Sequence, residues 1–308
     1  MMRRVLLCAI VLHTATALHA AERREVIQEV FPAAPGRVVL IDAGPLDLFV
    51  RAADVPEIRI TVELAAGAFR EAQALAWIAA HRPVIENAPD AFKLSVPEAR
   101  RFGLLRGVVA SRARLEVVLP FRVLPDLATS SGNLTVQGEF PDARPLRLRT
   151  ATAEILLTGW APKVELRSTS GSMEVRASRP LDEFLARSAS GNVVLSGGAR
   201  LARCDNASGT IRLNALVGPT GVATTSGNVA LQFDSLAAGD EVRVTTSSGR
   251  VSVTLPPGAD PGGELSSSRG EIRSSYGGEA SPEGGRFRLF GRKPILAITT
   301  TSGRIDLS

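Results

Sequence analysis

One short pattern dominates this chain: an apolar strand, a hydroxyl-rich run closed by glycine, then a second apolar strand. It is anchored by Gly132, Gly171, Gly191, Gly209, Gly227, Gly249, Gly270 and Gly303, with a degenerate copy at Ala153. The steps between anchors are 21, 18, 20, 18, 18, 22, 21 and 33 residues. Repetition at a period near 20 residues is the mark of stacked architectures, in which each unit covers its neighbour.

The columns of the repeat are sharper than its period. Two residues after each anchor stand Leu134, Ile155, Met173, Val193, Ile211, Val229, Val251, Ile272 and Ile305. Four after the anchors the residues are again apolar, except at Ser274. Five before stand Leu127, Leu148, Leu166, Ala186, Cys204, Val222, Val244, Leu265 and Ile298. Alternation on both flanks of a glycine predicts two half-buried strands per repeat. Three before each anchor is Thr, Ser or Asn, and such residues bond nearby backbone and favour turns. The hydroxyl–glycine element therefore reads as the corner of a rung, with hydroxyls laddered along the stack. A sugar-binding row of hydroxyls is the functional alternative.

Residues 1–20 have the pattern of a secretory signal peptide. Arg3 and Arg4 precede the apolar run Val5–Leu12, and cleavage is expected after Ala17 or Ala20. No later stretch reaches membrane-spanning length. Net charge falls from +5 to +3 without Arg3 and Arg4, and an exported product argues against a nucleic-acid partner. Outside the leader the only cysteine is Cys204, in an inward column, and the only histidine is His81. That supply makes neither a zinc set nor a Ser-His-Asp arrangement. No phosphate loop or dinucleotide fingerprint is present, and no cofactor is expected.

Residues 21–120 read as an N-terminal sheet with one helix, a cap for a repeat stack. Val38–Ile41 and Leu46–Arg51 suggest an early rung. Residues 68–81 are predicted to be a helix whose apolar face is Phe69, Ala72, Leu75, Ala76 and Ala79. Five arginines between Arg100 and Arg114 mark a basic loop. Residues 121–308 form the repeats, with an insertion at 276–294 expected to be a hairpin or flap. The last rung, ending at Leu307, is expected at the open end of the stack, covered by that flap or by a partner.

Two groups are candidate binding residues. Arg149, Arg167 and Arg187 each stand four residues before an anchor, so successive rungs would stack them about 4.8 Å apart. Such a stripe needs an anion, such as an acidic glycan, or neighbouring carboxylates. Glu154 and Glu174 are the carboxylates expected to approach each other on adjacent rungs, either pairing with the arginines or acting as a catalytic pair.

The corners Thr129-Ser130-Ser131-Gly132, Ser168-Thr169-Ser170-Gly171, Thr246-Ser247-Ser248-Gly249 and Thr300-Thr301-Ser302-Gly303 are similar to those of the putative-adhesin β-strand-repeat proteins of bacteria, a family of unknown function. The chain departs from that pattern at Ala153, at Arg269 and in the insertion. The resemblance implies an exported β-repeat scaffold and supplies no catalytic residue. The expected fold is all-β: a β-solenoid of about eight to ten two-strand rungs with a small strand–helix cap; a twisted β-sandwich of the same hairpins is the structural alternative. Three functions remain open: an exported non-enzymatic binding or structural scaffold of the envelope, a polysaccharide-active solenoid, and a sensing component that works through an envelope protein.

Overall fold

The computed structural model describes residues 21–97, 107–143 and 145–308. The signal segment and Arg100, Arg101 and Arg106 lie outside the described residues. The chain is arranged as two compact units, Met1–Asp142 and Ala143–Ser308.

The first unit runs β1 (Ala21–Pro32), β2 (Val38–Asp42), β3 (Asp47–Ala53), β4 (Glu57–Ala68), α1 (Glu71–Ala80), β5 (Val84–Asn87), β6 (Ala91–Ser95), β7 (Val108–Pro120), β8 (Leu124–Thr129) and β9 (Leu134–Glu139). β2 pairs in parallel with β6 and β8, and β3 in parallel with β7 and β9. The early rung is therefore real, and it joins the repeat columns in register: Ile41 faces Leu127, Leu48 faces Leu134 and Val50 faces Val136. β4 runs antiparallel between β1 and β7. β8 and β9, which follow residue 121, thus pair inside the first unit.

Helix α1 packs on β4 and β1 but turns another face inward than expected. Ala74, Trp77 and Ile78 are buried, whereas Phe69 and Leu75 are 76% and 50% exposed. In an alanine-rich helix several faces are apolar, and the i, i+3, i+4 set carrying Trp and Ile removes the most surface from water. Ion pairs from Arg23 to Glu71 and from Arg82 to Glu25 (2.8 Å) hold the helix to β1.

The second unit runs β10 (Leu146–Thr150), β11 (Ile155–Trp160), β12 (Lys163–Ser170), β13 (Met173–Ala177), β14 (Glu183–Ser190), β15 (Val193–Ser196), β16 (Ala202–Ser208), β17 (Ile211–Leu216), β18 (Thr220–Ser226), β19 (Val229–Phe233), β20 (Glu241–Ser248), β21 (Val251–Thr254), β22 (Asp260–Ser267), β23 (Ile272–Ser274), β24 (Gly278–Ala280), β25 (Arg286–Lys293), β26 (Ile295–Thr300) and β27 (Ile305–Leu307). Each rung gives one strand to each of two sheets, and the rungs stack in parallel. One sheet is ordered β11-β13-β15-β17-β19-β21-β27-β23 and the other β10-β12-β14-β16-β18-β20-β26-β22-β25-β24. Only β24 and β25 run antiparallel to their neighbours. The fold is the expected β-solenoid type, with two-sided rungs.

Register follows the sequence columns. Leu148, Leu166, Ala186, Cys204, Val222, Val244, Ile298 and Leu265 form one continuous row. All eight are buried, because a one-residue slip would turn every apolar side chain outward.

The order of the last rungs differs from expectation. β26 lies between β20 and β22, and β27 between β21 and β23. The rung latest in sequence is therefore interior, and the end rung is the earlier β22–β23. To reach this place the chain crosses the start of β22 at Gly291, where a Cβ would stand 2.3 Å from the Asp260 carbonyl oxygen. The insertion does form a hairpin. β24 and β25 extend the sheet beyond β22, leaving a three-residue edge strand, and short edges discourage pairing with other chains.

Candidate functional site

The corners show why glycine recurs. A Cβ at Gly171 would stand 1.9 Å from the Ala153 carbonyl oxygen, and one at Gly191 2.3 Å from that of Gly171. The series continues through Gly209, Gly227, Gly249 and Gly303, ending with Gly270 at 1.9 Å from the Gly303 oxygen. In the first unit Gly132 meets the Leu46 oxygen in the same way, at 1.9 Å. Close approach of stacked backbones is the shared cause; a positive φ adds to it at Gly191 (+135°), Gly209 (+113°) and Gly249 (+123°).

The hydroxyl column turns inward and serves these corners. Oγ1 of Thr150, Oγ of Ser267 and Oγ1 of Thr300 accept the backbone N–H three residues on, from Ala153 (3.1 Å), Gly270 (2.9 Å) and Gly303 (3.0 Å). Thr150, Thr224, Thr246, Ser267 and Thr300 are all buried. Burial keeps these five hydroxyls from a sugar. A second device was not foreseen. The side-chain oxygens of Asn192 and Asn228 accept the backbone N–H of Thr210 (2.9 Å) and Arg250 (3.0 Å) on the next rung. The sequence signal for it was Asn immediately after the anchor.

The arginine stripe exists. Arg149, Arg167 and Arg187 are consecutive partners across β10, β12 and β14, and Asp205 on β16 continues the row. The counter-charges of Arg167 and Arg187 are neither Glu154 nor Glu174. Arg167 meets Glu165 at 2.6 Å, Arg147 meets the same carboxylate at 3.4 Å, and Arg187 meets Asp205 at 3.4 Å. Arg149 is engaged too. Burial pushes the Glu165 carboxyl up, but hydrogen bonds and charges from Arg167 and Arg147 outweigh it and hold the carboxyl below its usual range.

Glu174 lies on β13, in the other sheet, where its register partners are Leu156 and Val194 and its ion-pair partner is Arg176 at 2.6 Å. Glu154 stands two residues before Leu156, so the two glutamates are offset along adjacent strands rather than face to face. Glu174 therefore cannot neutralise the stripe. His81 is buried, its Nδ1 2.7 Å from the Trp77 carbonyl oxygen and its ring stacked on Trp77. Burial, then the nearby Asp205 charge, pushes the Cys204 thiol up to about 12. Among the described residues no three His, Cys, Asp or Glu side chains gather as a metal site.

The C-terminal hairpin carries a concavity that sequence reasoning missed. A cleft of about 300 Å³ is lined by Glu264, Glu279, Ala280, Ser281, Pro282, Arg286 and Arg288. Arg288 on β25 faces Glu264 on β22 and Glu279 on β24. The signal available was the alternation in Arg286-Phe287-Arg288-Leu289-Phe290, which buries Leu289 and leaves Phe290 67% exposed.

A search of solved structures finds chains that span nearly the whole protein at low identity. A crystal structure named as a putative adhesin from Bacteroides fragilis is 12% identical, covers 92% of this chain and 97% of its own, and has a TM-score of 0.40. A putative adhesin from Parabacteroides distasonis is 11% identical with the same coverage and a TM-score of 0.43. A putative lipid binding protein from Parabacteroides distasonis is 10% identical, covers 90% of this chain and 96% of its own, and has a TM-score of 0.41. Among curated proteins none matches. The family model described as Toastrack DUF4097 matches residues 113–308, which hold the registered rungs and all eight anchor glycines, and the chain belongs to that family.

Proposed function

We propose that the chain is an exported scaffold of the bacterial envelope, in the periplasm or on the cell surface, that holds a binding surface and catalyses no reaction. The observation carrying this reading is the registered stack with most of its outward charges paired among themselves. Lys163 meets Glu183 at 2.5 Å, Arg167 meets Glu165, Arg187 meets Asp205, and Arg243 meets Glu241 at 2.5 Å. On the other sheet Arg176 meets Glu174 and Arg250 meets Asp306 at 3.7 Å. Exposed pairs of this kind add little stability, but they leave sheet faces with few charges for a ligand. A polar cleft and an exposed ring, Phe290, lie together at the C-terminal hairpin, which is where an envelope protein or a glycan would dock. A sensing role through a protein partner would use the same hairpin. A polysaccharide-cleaving role requires carboxylates flanking one bond, and the offset of Glu154 and Glu174 speaks against that pair.

The test is fractionation of cells that express the chain, with mass spectrometry of its N-terminus. The expected product begins at Leu18 or Ala21 and sits in the periplasmic or surface fraction. A full-length cytoplasmic product would overturn the export reading. Release of new reducing ends from a polysaccharide panel would overturn the non-enzymatic one.

A further inference from the structure

We propose that the cleft on the C-terminal hairpin is a subsite for a neutral oligosaccharide, with Phe290 as the platform for the adjoining ring. This deepens the scaffold reading and rests on it. Strand register sets the arrangement. Glu279, Arg288 and Glu264 lie side by side on β24, β25 and β22, about 4.8 Å apart by strand spacing. Arg286 stands on the same face of β25, 3.7 Å from Glu264. Among the described residues Arg288 and Glu279 form no ion pair. Their hydrogen-bonding capacity is open to the cleft, unlike that of the arginine stripe.

The alternation of charge selects the ligand class. A polyanion meets Glu264 and Glu279, and a polycation meets Arg286 and Arg288. A sugar hydroxyl is both donor and acceptor. Neighbouring hydroxyls can accept from a guanidinium and donate to the adjacent carboxylate, which matches a row of alternating acceptors and donors. Ser281 adds a hydroxyl at the rim. The volume stands at the small end for ligand sites, and suits a ring held at the surface rather than enclosed.

The apolar part lies one step along the strand. Phe290 shares the outward face with Arg286 and Arg288, two residues from Arg288, or about 7 Å. Its register partner is Gly262, which has no side chain, and beyond Gly262 lies Ile295, 43% exposed. An exposed ring beside a polar cleft offers its face to the C–H face of a second sugar. The ligand class differs from the acidic glycan expected for the arginine stripe, and so does the place.

The experiment is titration of residues 21–308 with cellopentaose, maltopentaose, chitopentaose and pentagalacturonic acid, followed by amide chemical-shift mapping. At least one neutral pentasaccharide is expected to bind, with shifts centred on residues 264, 279–281 and 286–290. R288A and F290A are each expected to weaken it about tenfold or more. R167A, on the stripe, is expected to leave it unchanged, and circular dichroism checks that the variants fold. The proposal is overturned if no neutral probe shifts those residues, if only the galacturonate binds, or if R288A and F290A bind like the parent. An envelope location found together with no saccharide binding would remove this inference and leave the scaffold reading standing.

Discussion

Replacing Gly227 by alanine tests whether the corner ladder holds the stack together. The added Cβ would stand 2.0 Å from the Gly209 carbonyl oxygen and 3.0 Å from its carbonyl carbon. Ordinary contact begins near 3.4 Å, so the two rungs must part by more than 1 Å at this corner. Two backbone hydrogen bonds span it, Gly209 N–H to Ser226 (3.2 Å) and Ile211 N–H to Asn228 (2.8 Å), and neither survives such a displacement. Each partly buried bond lost costs about 1–2 kcal/mol, so the variant should lose about 2–4 kcal/mol. Gly221, on the same rung, is the control: a Cβ there meets nothing within 4 Å, and alanine should be neutral or stabilise by about 0.4–1 kcal/mol. Gly209→Ala adds a φ of +113° to the clash, which raises the loss by about 1–2 kcal/mol. Urea unfolding followed by circular dichroism reads all three as shifts in midpoint. If G227A unfolds within about 1 kcal/mol of G221A, the rungs are not locked by backbone approach and the account of the glycines fails.

The remaining predictions concern particular side chains. Trp77→Ala should cost about 3–5 kcal/mol in urea unfolding while Phe69→Ala stays within about 0.5, and the reverse order would restore the helix face expected from sequence. Glu165 has a folded pKa below its ordinary 4.5, so its contribution is present above that value and lost as pH falls through the lower folded value. Glu165→Gln should therefore flatten the acid limb of the stability–pH curve, and an unchanged limb would contradict the pairing with Arg167 and Arg147. Cys204, buried with its thiol pushed up to about 12, should react with iodoacetamide on the order of 10³-fold more slowly in the native chain than in urea at about pH 8. Equal rates would mean that this column is open to solvent.

Much of the fold was legible because the repeat writes the same physical demand many times. Val244, Ile298 and Leu265 each occupy the position five before an anchor, and each is buried in one row. The same regularity hid the rung order. When Val244 can stack equally well on Ile298 or Leu265, columns cannot say which comes next, and only the 33-residue step before Gly303 hinted at a detour. The helix face was misread because alanines at 72, 76 and 79 look apolar but bury little surface. Glu174 was expected near the arginine stripe because a rung's two strands carry similar patterns. Without the number of sides, Glu174 could not be placed on the opposite sheet. The cleft escaped notice because it depends on β24, β25 and β22 lying side by side, which no local pattern announces.

The interleaved rung has a consequence for how the molecule is made. While residues 260–274 are emerging, residues 295–307 do not yet exist, and the only matching surface is β20–β21. Leu265 stands in the same column as Val244 and Ile298, and Ile272 in the same column as Val251 and Ile305, so the column pattern alone admits either neighbour. If the segment pairs against β20–β21 first, that seat must be vacated before residues 295–307 enter. A chain released before residue 295 would settle stably in the early seat, one rung short.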